Sequence, residues 1–363
     1  MANELSIKWK DENSSEYYIN AENLHEVHPA LNSLHAPFLM PGTTTNRHLL
    51  FRANTAIKLV NAGIHKVFQS GNADIEINAE SNLDTGTSLS AGTDYYVYVV
   101  DNADGMSSLV VSLNSTYPDG YTADNSRKIG GFHCLCADVG TISGHYLSGY
   151  VAGDILPQSV WCLNHRPESE PEGMVYDPGT GKWVDIYLAS VQSGELGSVN
   201  GATTADGASA ETFHWYKFDQ WFRRIKKRLP FQGEFVSMSL GSNQGTNIDG
   251  GADPGTTGGH SDTAGRRMIS NIGCEDCCGA LWQWGIEGGA ASDVGSSWSD
   301  AFDSNDSDVG GQHYGAPNRP QFGGYWAADS KCGSRGSVWG TSPLYLNSAY
   351  GARGVAEPSK RGQ

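Results

Sequence analysis

Forty-six of the 363 residues are glycine, against an average usage of about 7%, and no collagen period orders them. Glycine costs the most backbone entropy inside regular elements and supplies turns that other residues resist. With abundant Ser, Asn and Asp beside it, the chain is constrained to turns, short strands and irregular loops. Long helices are not expected. Hydrophobic residues at 38% and aromatics at 10% are enough for real cores, which excludes a disordered chain. The length suits two or three domains.

A formal net charge of −16 argues against a nucleic-acid or anionic-membrane binder, because counterion release needs a basic surface. The one basic run, Arg223-Arg224-Ile225-Lys226-Lys227-Arg228, reads as the wet face of a helix. Seven cysteines is an odd number, so no complete disulfide framework is expected. Reduced, buried thiols made in a cytoplasm are. Met1 to Lys10 lacks an apolar core, and no window approaches 18 apolar residues, so neither a secretion signal nor membrane insertion is expected. An outward-facing task then requires another exit, such as lysis of the producing cell with the protein inside a particle.

The runs around Leu5, Ile7 and Trp9 and at Tyr17-Tyr18-Ile19 suit small strands, and Pro37 to Gly42 reads as a linker. Strand-like runs follow at Leu49–Phe51, Ala56–Val60, Asp74–Ile77, Tyr95–Val100 and Leu109–Leu113, rich in β-branched and aromatic residues. To about residue 160 this reads as an antiparallel β-sandwich. Phe218, Phe222 and Ile225, with Trp221 beside them, form an apolar stripe at helical spacing. A second short helix is expected from Pro230. From about residue 241 the chain reads as loop-dominated, with apolar islands such as Ala280–Trp284. The tryptophans at 282, 284, 298, 326 and 339 argue against disorder there.

No catalytic constellation stands out: there is no G-x-S-x-G elbow, H-E-x-x-H pair or P-loop. Cys274-Glu275-Asp276-Cys277-Cys278 holds a C-x-x-C spacing, but no second ligand pair follows, and buried structural cysteines are the expectation. His133 and His165 sit among apolar neighbours as core or loop histidines. The acidic run with Asp293, Asp300, Asp303, Asp306 and Asp308 misses the EF-hand pattern and reads as a solvated insertion. The Asn247–Asp253 turn is a similar weak calcium candidate. No metal or other cofactor is expected.

Residues 323–354 have a mixed texture. Gly, Trp, Arg and Ser recur where loops need fixed shapes, with Tyr, Ala, Asp, Lys, Val, Thr and Asn between them and no periodicity. A core would alternate or repeat helically. Tyr and Asn among small residues are instead the chemistry of a paratope, rigid amphipathic area with adaptable hydrogen bonding. An ordinary glycine-rich β-domain is the alternative on texture alone.

Arg228-Leu229-Pro230 with Glu234-Phe235, then Leu281–Gly285, Phe322-Gly323-Gly324 and Gly333-Ser334-Arg335, resemble the formylglycine-generating-enzyme branch of C-type-lectin folds. The closing Gly351-Ala352-Arg353-Gly354-Val355 resembles the variable proteins of diversity-generating retroelements, and among them the receptor-binding tail-fibre proteins of phage. Ala91–Tyr95, Gly120-Tyr121-Thr122, Arg127–His133, Ser159-Val160-Trp161, Arg166-Pro167, Gly173-Met174 and Trp183–Leu188 extend the likeness upstream, so that it covers about residues 85–355.

The resemblance implies a mainly β protein with an α+β C-terminal domain: a β-prism-like base at 1–40, a β-sandwich at 41–160 and a C-type-lectin-like ligand-binding domain at 161–363. It implies a homotrimer at the tip of a tail fibre, joined to other tail-fibre proteins in the virion and binding a host bacterial surface receptor, protein or glycan. Aligned to the fixed anchors, the hypervariable ligand-binding positions fall at Tyr325, Ala327, Ala328, Asp329, Lys331, Val338, Gly340, Thr341, Tyr345, Asn347, Ala349 and Tyr350. Trp282, Trp284, Trp326, Arg335, Trp339 and Arg353 are expected as scaffold. The insertion from Ser292 to Pro320 has its own sequence and is a separate candidate contact loop. An enzyme is not expected, since a formylglycine-generating site needs a late cysteine pair and only Cys332 lies there. A calcium-dependent sugar lectin lacks its sugar-binding triplets. A bacterial surface-displayed variable protein is the alternative, against which the missing signal peptide speaks.

Overall fold

The computed structural model describes residues 6–10, 16–20, 36–61, 64–102, 107–289, 298–299, 313–314 and 318–359. The first two strands, β1 (Ser6–Lys10) and β2 (Glu16–Asn20), pair as an antiparallel hairpin, where the short polar–apolar runs predict small strands. Apart from Trp298–Ser299, the acidic run from Asp293 to Asp308 lies outside the described residues.

A sandwich follows. One sheet joins β3 (Leu39–Pro41), β4 (His48–Phe51) and β7 (Ile75–Asn78), and β5 (Ala56–Asn61) pairs with β6 (Ile64–Gln69). The other sheet runs in the order β11-β10-β8-β9, with β8 at Asp94–Asp101, β9 at Ser107–Ser112, β10 at Ser126–His133 and β11 at Trp161–Cys162. All these pairings are antiparallel. The expected linker at Pro37–Gly42 is a correction. Leu39 is fully buried and pairs with Phe51, so the segment carries a strand of the sandwich, at the side of its three-stranded sheet.

Strand β8 explains its own unbroken apolar run. Side chains alternate across a strand, so Tyr95, Val97 and Val99 enter the sandwich core with Leu39, Phe51 and Ile129. Tyr96, Tyr98 and Val100 face the other way, onto Trp161, Met174 and Trp183. Both faces are therefore buried, which favours a continuous hydrophobic strand over an alternating one. Gly131 of β10 is required by this packing: a Cβ there would lie 2.5 Å from the Tyr95 carbonyl and 2.7 Å from Trp161 Nε1.

Beyond the sandwich, β12 (Met174–Asp177), β13 (Lys182–Asp185) and β22 (Val355–Ala356) form one small sheet, and β14 (Ser190–Gln192) with β15 (Glu195–Gly197) a hairpin. Helix α1 (Trp215–Arg224) buries Phe218 and Phe222, as the stripe predicts. The basic run departs from expectation, because the helix ends at Arg224. Lys227 turns inward to Asp185, 2.5 Å away, with both side chains almost fully buried. Arg228 pairs with Glu234 at 2.6 Å. Only the first part of the run is a wet helix face. Helix α2 (Gln232–Met238) begins two residues after Pro230, where the Glu234 carboxylate accepts from Phe231 N at 2.9 Å.

The expected loop-dominated end holds a four-stranded sheet in the order β20-β19-β16-β21, with β16 at Trp282–Trp284, β19 at Arg319–Gly323, β20 at Gly333–Thr341 and β21 at Tyr350–Gly351. A short pair, β17 (Trp298–Ser299) with β18 (His313–Tyr314), lies in the insertion. The aperiodic texture hid the nine-residue β20 because its register against β19 shifts twice, which breaks alternation. All seven cysteines are free, and all but Cys136 are buried. Cys274, Cys277 and Cys278 pack into a core cluster with Phe235, Met238 and Phe322, the structural role expected of them.

His133 bridges the two halves. Its Nδ1 lies 2.9 Å from Asp94 Oδ1 and its Nε2 2.9 Å from Tyr187 Oη. His165 packs among aromatics, with ring centroids 4.7 Å from Tyr176 and 5.1 Å from Trp183.

Candidate display surface

The surface rests on a buried polar hub. Arg353 is fully buried and donates to Gln283 Oε1 at 3.2 Å, to the Asp185 carbonyl at 2.6 Å, and to the carbonyls of Ile186 and Glu275. Gln283, also fully buried, returns its Nε2 to the carbonyls of Asp276 and Cys277 at 3.1 and 2.9 Å. A planar guanidinium with five donors suits such divergent acceptors. The hub ties β16 and the chain after β21 to β13 and to the Glu275–Cys277 turn.

That turn carries two fully buried carboxylates. Glu275 receives Arg267 Nη2 at 2.7 and 2.9 Å. Asp276 lies 2.9 Å from His260 Nδ1 and accepts from Gly258 N at 2.8 Å. Burial opposes protonation of His260, but the hydrogen bond and charge of Asp276, with Glu275 near, outweigh it and hold the imidazole above its ordinary value. A raised pKa means stability fully present below about pH 6.5 and lost as pH rises through the folded value. Thermal melts from pH 6 to 9 are expected to fall over that range, with His260→Gln flattening the dependence. A flat profile in the parent protein would refute the assignment.

On this base the sheet presents aromatics. Trp282 of β16 lies beside Tyr350 of β21 in parallel register. Tyr325 stacks on Trp282 with centroids 6.3 Å apart. Tyr350 packs on buried Trp284 at 5.5 Å, and Tyr345 on Tyr350 at 5.4 Å. Burial, with Tyr345 and Tyr325 near, raises the Tyr350 phenol above its ordinary value. Thr341 donates to Gln321 Oε1 at 3.0 Å.

Of the expected display positions, Ala327, Asp329, Lys331, Val338, Gly340, Tyr345 and Asn347 are exposed, and Tyr325, Thr341 and Tyr350 are half-buried. Ala328 and Ala349 depart from expectation, with only 6% exposure each. Ala328 N closes a tight turn onto the Tyr325 carbonyl at 3.0 Å, and Cys332 N another onto that of Asp329 at 2.9 Å. Asn347 shapes its own turn, accepting from Ala349 N at 2.8 Å. The scaffold positions divide. Trp282, Trp284 and Arg353 are buried and Trp326 half-buried, whereas Arg335 and Trp339 are exposed on β20. Trp339 still packs edge-on against buried Phe322, with ring centroids 6.3 Å apart. Gln283 and Asn247, whose amide donates to the Trp326 carbonyl, are structural supports that local sequence pattern did not reveal. The Asn247–Asp253 turn is held by its own bonds, with Asp249 accepting from Gly250 N and Asp253 from Gly255 N.

Among the described residues no group of three or more His, Cys, Asp or Glu side chains is placed to hold a metal. No helix among them is long and apolar enough to cross a membrane. Burial pushes the Cys332 thiol up to about 11, which leaves little thiolate for nucleophilic chemistry.

Solved structures share this architecture. The Major Tropism Determinant I1 variant superposes with a TM-score of 0.73 at 29% identity, covering 90% of this chain and 84% of that one. The U1 variant gives 0.74 at 27% identity, covering 97% and 94%. The fold is thus that of a mainly β protein ending in a C-type-lectin-like domain. A family model, the Mtd second domain, matches residues 40–162. The tail fiber receptor-binding protein of Bordetella phage BPP-1 is 30% identical over 309 residues, 78% of this chain and 75% of that protein. The chain belongs to the major tropism determinant family.

Proposed function

We propose that this protein is a phage receptor-binding protein at the tail-fibre tip, and that the surface built by Tyr325, Lys331, Val338, Tyr345 and their neighbours contacts a host bacterial receptor. The observation that carries the reading is the aromatic platform of Tyr325, Tyr345 and Tyr350 standing on the Arg353–Gln283 hub. Rigid aromatics at the centre of a surface are the residues that dominate interface energetics. The scaffold beneath is held by its own hydrogen bonds, so the exposed side chains can change without loss of fold, which suits a hypervariable segment. In this reading the chain has an N-terminal base, a β-sandwich that takes in β3 to β11, from Leu39 to Cys162, and a ligand-binding domain beyond it. It assembles as a homotrimer in the virion, where several fibres raise avidity by about 10²–10⁴ if their sites engage together.

The test is binding of labelled protein to a panel of bacterial strains, beside a variant carrying Tyr325→Ala, Lys331→Ala and Tyr345→Ala. The parent is expected to bind at least one strain and the folded variant to lose at least about tenfold in affinity, as removal of central aromatics does. Equal binding by both would move the contact elsewhere, the Ser292–Pro320 insertion being the next site to alter.

A further inference from the structure

The display positions are too few to make a protein contact alone. Standard protein interfaces use about 20–30 residues a side. Of the twelve expected positions, Ala328 and Ala349 are buried, and Tyr325, Thr341 and Tyr350 show only part of their surface. The whole segment 323–354, its fixed residues included, has twenty exposed or half-buried residues, the bottom of that range, so neighbouring loops would complete a footprint of ordinary size.

Two loops outside that segment are built against it. In the loop leading to α1, Gly207 N donates to the Asn347 carbonyl at 3.2 Å. A Cβ at Gly207 would sit 2.1 Å from Asn347 N, so the two backbones touch with no side chain between them. In the loop after α2, buried Asn247 donates to the Trp326 carbonyl, and a Cβ on Gly251 would stand 3.7 Å from the same oxygen. The first loop exposes Ala208, Glu211 and Thr212, and the second Asp249, Ala252 and Asp253. Both loops are internally fixed. Asp206 Oδ1 accepts from Ala208 N and Ser209 N at 2.6 and 2.7 Å, and Asp249 and Asp253 cap their own turns at 2.9 and 3.0 Å. A preordered loop loses little freedom on binding.

We propose that these two loops form a constant rim of the receptor footprint, so that a receptor of protein-interface size is held by fixed residues as well as by the display segment. The inference rests on the display-surface reading above. The rim supplies affinity that does not change when the display residues do, and it fixes how a receptor is oriented over them.

Ala208→Arg and Ala252→Arg test it, because both alanines are exposed and a longer side chain wedges a bound partner away without entering the core. The probe is the bacterial strain that the parent protein binds, with near-UV circular dichroism confirming the fold of each variant. Each arginine variant is expected to bind at least about tenfold more weakly, a change of about 1.4 kcal/mol. If both bind like the parent while the variant with Tyr325→Ala, Lys331→Ala and Tyr345→Ala does not, the rim is refuted and the display reading stands. If the parent binds no strain of the panel, both fall.

Discussion

Arg353→Ala is expected to cost at least about 3 kcal/mol of folding stability, since each buried polar group left without a partner costs about 1–3 kcal/mol. The loss strands Gln283 Oε1 and the carbonyls of Asp185, Ile186 and Glu275 in a site that is fully buried. Arg353→Lys is expected to recover little of it. An ammonium keeps the charge but cannot spread donors from one plane toward carbonyls on separate segments. Urea denaturation followed by tryptophan fluorescence measures the change, and Trp284 beside the hub gives a local signal. A loss below about 1 kcal/mol, the ordinary size of a single net hydrogen bond, would show that the hub is not what holds the strands together.

Lys227→Met is expected to cost about 3–5 kcal/mol, the usual penalty for removing one member of a buried ion pair. Asp185 is 1% exposed at its side chain and the lysine 6%, so water cannot replace the missing ammonium. The carboxylate keeps only the Gly354 N–H, at 2.9 Å, among its described hydrogen bonds. Adding Asp185→Asn removes the stranded charge and is expected to restore part of the loss, because neutral replacement of a buried pair is often tolerated. The comparison of single and double variants by thermal unfolding separates the pair from mere packing of the lysine stem. Equal destabilisation in both would mean that charge is not the cause.

The parts legible in the sequence are those encoded locally. The run Tyr95–Val100 could be read as a strand from its aromatic and β-branched content alone, and Phe218 with Phe222 as a helix face. Leu39 was hidden because Pro37, Pro41 and Gly42 punctuate it, although a proline at a strand edge is tolerated. Lys227 was misread by extending the helical period past Arg224, where a single residue at φ 59°, Lys226, turns the chain inward. At the proposed display surface, the glycine and tyrosine texture singled out residues 323–354 as a segment without core periodicity. It could not show which alanines face inward, since composition does not encode the tight turns, closed by the Tyr325 carbonyl and the Asn347 side chain, in which Ala328 and Ala349 sit. The partners of Arg353 were equally out of reach, because they lie on segments from residue 185 to residue 283.

The double-sided burial of β8 bears on protein engineering. A chimera that transplants the terminal lectin-like portion onto a foreign stem, cut near residue 160, would uncover Met174 and Trp183 where Tyr96, Tyr98 and Val100 now cover them. The recipient would carry a sticky apolar scar at its new neck and would aggregate there. A portable graft has to take the β8-bearing sheet along with the lectin-like portion, so the unit of exchange is larger than that portion alone.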